Sequence, residues 1–295
     1  GSTATMVVTD AQSNATTIVS DMNKFRPTSV TNALSKTTSM TYDSIGRPTE
    51  IAYPEGNKVQ YAYDARGNVT TTTYKAKSGS GLSDLVETAN YDTTCSNVAT
   101  CNQPNWTKDA KNNQTDYTYD TTTGLPLTVT SPAASGGANR PQTRYSYTAS
   151  SGVSLLTGVS RCQTGVAPGC VGTADEVKTT IAYNSNMLPS SVSEGAGDAS
   201  LTATTATTYD EIGNTLTVDG PISGTADTMT YRYDADRARL GAISPDPDGA
   251  GARIRSAVKT TYNSDGQPTV TELGTVNGTS NSDWAAFSTA QQSTT

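Results

Sequence analysis

Apolar and polar residues alternate with a period of two along most of this chain, in runs such as Thr16-Thr17-Ile18-Val19, Val69-Thr70-Thr71-Thr72 and Thr215-Leu216-Thr217-Val218. Tyrosines fall two apart at Tyr61/Tyr63, Tyr117/Tyr119, Tyr145/Tyr147 and Tyr231/Tyr233. Residues two apart on a strand share a face, so these pairs form stripes that successive hairpins can stack into a ladder. No segment of any length has the 3.6-residue period that parallel crossover helices need. The pattern predicts an all-β fold: one long antiparallel meander of hairpins, curved or spiralling.

The strands are punctuated by one phrase, Tyr-Asp-x-x-Gly. It stands at Tyr42-Asp43…Gly46, Tyr63-Asp64…Gly67 and Tyr209-Asp210…Gly213, and with Asn for Asp at Tyr262-Asn263…Gly266. Tyr119-Asp120…Gly124 is one residue longer, and Tyr233-Asp234 opens a further copy. Asp or Asn at the first turn position caps the backbone two residues on, and Gly takes positive φ without steric penalty. A type I turn followed by a left-handed residue is the three-residue hairpin loop with a G1 bulge. Nine anchors recur at intervals of 21 to 36 residues: Tyr42, Tyr63, Tyr91, Tyr119, Tyr147, Tyr183, Tyr209, Tyr233 and Tyr262.

The repeat is degenerate or broken in places. Phe25 stands near where a Gly is expected, and Asn186 is the residue expected to replace Gly after Tyr183. Lys75–Ser83 and 131–141 read as polar loops, and Tyr147 is followed by Thr148 instead of Asp. After Leu273 the pattern fades; Trp284-Ala285-Ala286-Phe287 reads as a short helix or a frayed end. The start Gly1-Ser2, without Met, reads as an expression scar on an excised piece of a longer protein. The expected organisation is a single β-sheet domain over 3–295, with residues 1–2 the scar and 276–295 a poorly patterned tail.

Composition sharpens the picture. Leu, Ile, Val and Phe make up only 41 of 295 residues, so the core must be thin, spread along the sheet, and dependent on the 15 Tyr. With 20 basic and 27 acidic residues and no basic patch, nucleic acid is not an expected partner. No apolar run is long enough to span a membrane as a helix. There is no His, which excludes imidazole acid/base catalysis and His-ligated zinc.

Cys95/Cys101 and Cys162/Cys170 lie in loops that interrupt the repeat. They read as two local disulfides in an oxidising compartment. The rivals are free thiols or a crossed pairing, while neither spacing suits zinc. Asp246 and Asp248, in Ser-Pro-Asp-Pro-Asp-Gly-Ala-Gly, are a weak Ca²⁺ candidate beside the plainer reading of a Pro/Gly turn. The turn carboxylates recur once per repeat. That suits capping, whereas a glycosidase needs one facing pair. No catalytic residue, cofactor or firm metal ligand is expected, and the chain is not read as an enzyme. Trp106 and the Tyr stripes are candidates for stacking on sugar rings if exposed, or else they are core.

The iterated phrase Tyr-Asp-x-x-Gly-[Asn/Arg/Gln]-x-Thr resembles the Rhs/YD-repeat family of bacterial polymorphic toxins, wall-associated proteins and teneurins, over roughly residues 20–275. The resemblance implies a sheet that forms part of a β-shell around a polypeptide cargo such as a toxin, on a secreted or cell-surface protein. It also implies as partners the rest of the parent chain and the cargo. The chain lacks the family's Asp-Pro-x-Gly-Leu signature, so the family's proteolytic residues match nothing here. Two readings stand beside the structural one: a glycan- or cell-surface-binding module, and more weakly a His-free enzyme acting on polysaccharide. Self-association through sheet edges is open. A local function is expected where the phrase is broken, at 92–104, at 161–175 and around Tyr147.

Overall fold

The computed structural model describes residues 2–294 except 135, 136, 138, 236–238 and 252. Gly1 of the expected scar and part of the 131–141 loop therefore lie outside the described residues. The fold is all-β and antiparallel throughout, with one short helix. The chain forms two compact units, Gly1–Arg140 and Pro141–Thr295.

Unit 1 is a meander of β1 (Thr3–Thr9), β2 (Ala15–Asp21), β3 (Arg26–Thr31), β4 (Thr37–Tyr42), β5 (Pro48–Ala52), β6 (Lys58–Tyr63), β7 (Val69–Lys75), β8 (Leu85–Tyr91), β9 (Pro104–Lys108), β10 (Gln114–Tyr119) and β11 (Pro126–Thr130). Each strand pairs with the next. Cross-strand registers sort the two faces. Met40, Ile51, Val59, Tyr74 and Leu85 are successive partners and form one row on the tyrosine face. Thr41, Glu50, Gln60, Thr73 and Val86 form the neighbouring row on the other face. Period-two alternation thus yields one mainly apolar and one mainly polar face. The core is as thin as the composition implies. Among the described residues of unit 1, Val59 and Cys101 are the buried apolar side chains.

Unit 2 continues with β12 (Gln142–Ser150), β13 (Val153–Cys162), β14 (Glu176–Tyr183), β15 (Pro189–Ala196), β16 (Thr202–Tyr209), β17 (Thr215–Asp219), β18 (Met229–Tyr233), β19 (Arg239–Ile243), β20 (Arg255–Tyr262), β21 (Pro268–Val276), α1 (Asn281–Ala285) and β22 (Ser288–Thr294). The stretch where the repeat fades holds the best-buried cluster. Ile243, Ala257 and Val276 pack with Trp284 and Phe287. A Cβ on Gly241 would stand 2.5 Å from the Trp284 ring, and one on Gly274 would stand 2.6 Å from the Phe287 ring. Glycine on the sheet thus makes room for rings delivered by α1. Ser280 and Asp283 close a capping box that starts the helix. Trp284 to Phe287 is therefore a helix-borne plug and not a frayed end. No helix among the described residues is long and apolar enough to cross a membrane.

Candidate functional site

The repeated joint is built from backbone demands. In the Asp43 turn, Asp43 N–H donates to Arg47 O at 2.9 Å and Gly46 N–H donates to Asp43 O at 3.2 Å. The Asp43 carboxylate accepts from the N–H of Ile45 at 3.0 Å and of Arg47 at 2.9 Å. Gly46, Gly67 and Gly213 take φ of 88°, 97° and 94°. A β-bulge falls at every one of the nine anchor tyrosines. Hydrogen bonds from Thr94 and Ser96 hold the Asp92 carboxyl well below the usual carboxylate range. Backbone and hydroxyl donors of Thr123 do the same for Asp120. The turn carboxylates are thus engaged in capping. Residues 236–238, which follow Asp234, lie outside the described residues.

The tyrosines join one hairpin to the next by a rule that composition did not reveal. Each phenol O–H reaches back to the carbonyl of the residue paired opposite the previous anchor. Tyr63 donates to Pro48 O at 2.7 Å, Tyr119 to Pro104 O at 3.0 Å and Tyr209 to Pro189 O at 2.8 Å. Tyr183 donates to Leu156 O at 2.8 Å and Tyr262 to Arg239 O at 2.9 Å. Tyr42 donates to Pro27 O at 2.8 Å, where Ser20 takes the anchor's place. Burial pushes the phenols of Tyr63 and Tyr119 up, so they remain donors at neutral pH. Ring-on-ring stacking, the expected adhesive, is seen among the described residues at Tyr117/Tyr119, with centroids 6.4 Å apart. A guanidinium adds to the joint at Tyr63, where Arg47 sits 4.6 Å from the ring centroid.

The positive-φ positions correct one expectation and explain another. After Tyr183 the left-handed residue is Met187 at 61°, not Asn186. Position in the turn decides, because Met187 is the fourth residue after the anchor, as Gly46 is after Tyr42. Phe25, at 51°, does occupy a glycine position. So does Cys95, also at 51°, the fourth residue after Tyr91. The Tyr91 turn is therefore intact, and the insertion begins just after it. Counting four from each anchor finds all three residues.

Cys95–Cys101 and Cys162–Cys170 are joined as disulfides. The first loop is wedged between turns of its own unit. Arg66 reaches it from the preceding repeat, donating to the carbonyls of Asp92, Thr93 and Cys101 and to Asn102 Oδ1. Asn97 and Gln103 donate to the carbonyls of Thr121 and Gly124 in the following one. The second loop folds over Glu176, which is buried and accepts from Gly172 N–H at 2.7 Å and Arg144 Nη2 at 2.6 Å. Arg144 and Glu176 line a shallow groove of about 310 Å³ with Tyr145, Ser160 and Lys178. Cys162, Cys170 and Asp175 have donor atoms within 4.8 Å of one another. The sulfurs are bonded to each other, and the Asp175 carboxylate accepts from Thr164 and Gly165. This donor set does not fit a metal.

Asp246 is fully buried with Arg255 Nη2 at 3.7 Å, and Asp248 is held by Arg253 Nε at 2.6 Å. Each carboxylate therefore has a cation of the chain beside it. Trp106 is half-buried on β9 with Lys108 Nζ 5.0 Å from its ring centroid.

Two overlapping stretches, residues 26–58 and 42–78, match the RHS repeat family model. The chain is a member of the Rhs-repeat family. Among solved structures, the chain is similar to TcdB2-TccC3 without its hypervariable C-terminal region, with 12% identity and a TM-score of 0.34 over 91% of this chain and 16% of that one. It is similar to the *Photorhabdus luminescens* Tc holotoxin pore, with 13% identity and a TM-score of 0.35 over 89% of this chain and 16% of that one. It is also similar to a porin-like protein from *Bacteroides uniformis*, with 13% identity and a TM-score of 0.32 over 92% and 94% of the two chains. The Rhs-repeat chain thus spans about a sixth of the length of the Tc chains it matches. No curated protein matches it.

Proposed function

We propose that residues 3–295 are a structural wall segment of a secreted Rhs-repeat protein, which lines or supports a second polypeptide, such as a toxin, with its tyrosine face. The observation that carries this reading is the division of faces in unit 1. The row Met40–Ile51–Val59–Tyr74–Leu85 is apolar, while its neighbour on the other face is polar. Of the five, only Val59 is buried. A face so composed is suited to a covering partner. The distribution of chemistry also favours a structural role: the turn carboxylates are spent on their own backbones, and the phenols on the next hairpin. Two disulfides fit an oxidising compartment. The partners on this reading are the rest of the parent chain and the enclosed polypeptide. The glycan-binding alternative gains nothing from Trp106, whose ring already has a lysine over it.

Hydroxyl-radical footprinting tests the proposal, comparing the 295-residue chain with the intact parent protein. The expected result is that Met40, Tyr61 and Tyr74 lose reactivity in the parent while Val86 on the polar face keeps its own. Equal reactivity of the tyrosine face in both, or protection confined to the polar face, refutes it.

A further inference from the structure

The strand β1 departs from the others in how its surface is managed. All seven residues are exposed, with Met6 at 54%, Val7 at 58% and Val8 at 50%. It carries no charge and no proline, the two devices by which proteins usually blunt an open strand edge. Its tyrosine-face side chains extend an apolar row that stops at the edge: Val30 pairs with Ile18, and Ile18 with Met6.

The direction of its backbone groups follows from its two ends. Met22 N–H donates to Ser2 O, and Asp10 N–H donates to Asn14 O. Even-numbered residues therefore turn their backbone groups towards β2, because hydrogen-bonded pairs alternate along an antiparallel ladder. Thr3, Thr5, Val7 and Thr9 turn theirs outward. An antiparallel strand centred on Met6 places Thr5 opposite Val7 and Thr3 opposite Thr9. Every outward N–H and C=O then meets a partner. The same centre sets Met6 against Met6 and Ala4 against Val8 on the tyrosine face, so the row Val30–Ile18–Met6 runs on into its own mirror. The edge is thus self-complementary in hydrogen bonds and in side chains, and no other centre pairs all four outward residues.

We propose that β1 is a homotypic pairing strand: two copies of this chain associate antiparallel, β1 to β1, about a two-fold axis at Met6. The interface is isologous and closes at two copies, whereas pairing β1 to β22 would be head-to-tail and would propagate. Seven residues a side bury less than a stable interface needs, so the dimer is weak. The net charge of −7 per copy opposes it, so association strengthens as salt rises.

Sedimentation velocity of the 295-residue chain over a wide concentration range tests this, beside Val7→Pro. Val7 N–H points away from β2, so proline there breaks no bond within unit 1 and is tolerated on an edge. The expected result is a monomer–dimer equilibrium whose association constant falls at least about tenfold in Val7→Pro, with an unchanged melting profile for the monomer. The register has its own readout. Opposed residues at a non-hydrogen-bonded pair have Cα atoms about 4.5 Å apart, within disulfide range. Met6→Cys should therefore cross-link to itself under mild oxidation, and Val8→Cys should not. A monomer at all concentrations, association indifferent to Val7→Pro, or equal cross-linking of the two cysteine variants overturns the proposal.

Discussion

Replacing Tyr63 by Phe removes a single oxygen from the repeat joint. The ring stays in place, with Arg47 above it, and the turn at Asp64 is untouched. What is lost is the O–H donated to Pro48 O at 2.7 Å, in a part-buried setting. A neutral hydrogen bond of this kind contributes about 1 kcal/mol net, with a span of about 0.5 to 1.5. For a unit of this size that lowers the midpoint of thermal unfolding by roughly 3–5 °C. Tyr61→Phe is the control: Tyr61 lies two residues away on the same face, and among the described contacts its hydroxyl has no carbonyl of a neighbouring hairpin. It should change stability by less than about 0.5 kcal/mol. The two tryptophans lie one in each unit, so urea unfolding followed by Trp106 fluorescence in a Trp284→Phe background isolates unit 1. The m-value should hold, because the surface exposed on unfolding is the same. The anchors are about 10 Å apart, two strands on, so Tyr42→Phe, Tyr63→Phe and Tyr119→Phe together should cost about 3 kcal/mol. If Tyr63→Phe and Tyr61→Phe are equally mild, the phenol–carbonyl bond is incidental and burial of the rings alone binds the hairpins.

The remaining predictions use the same logic. Met187→Gly should stabilise unit 2 by about 1 kcal/mol, since a side chain held at φ 61° is strained, whereas Gly67→Val should destabilise unit 1 by about 1–2 kcal/mol; thermal melts of both variants decide. Trp284→Ala should lower unit 2 stability by roughly 3 kcal/mol by emptying the cradle over Gly241, and a urea midpoint equal to that of the wild type would remove the plug from the core. Opening Cys95–Cys101 by a double serine substitution should cost about 2 kcal/mol for so short a loop, read from denaturant curves run without reductant. The carboxyls of Asp10, Asp92, Asp109 and Asp120 are depressed by hydrogen bonds within their own turns. A depressed carboxyl stabilises above its unfolded value near 3.8 and loses that contribution as pH falls through the folded value. Stability should therefore be flat from neutral pH down to about 4 and then decline, and a melting temperature rising with acid in that window contradicts it.

Much of this protein is legible in its sequence because a hairpin is a local object. The period of two, the Asp that caps its own turn and the Gly that takes positive φ are decided within about six residues. They are enough to place the meander, the nine joints and the membership of the repeat family. The interrupted turn at Cys95 and the degenerate one at Phe25 obey the same count of four from the anchor. What stayed hidden depends on residues distant in sequence. The phenol of Tyr63 finds its carbonyl fifteen residues back, in another hairpin, at an atom every residue possesses, so no side-chain pattern marks it. The cradle for Trp284 is made by glycines on β19 and β21, and glycine advertises an absence that only packing can fill. Arg66 clamps a loop 26 to 36 residues on, through backbone carbonyls again. The sequence by itself determined where the chain turns, because turning is a property of a few dihedral angles. Tertiary structure decided what holds one turn to the next, because that adhesion runs through main-chain oxygens whose neighbours are known only once the strands are side by side.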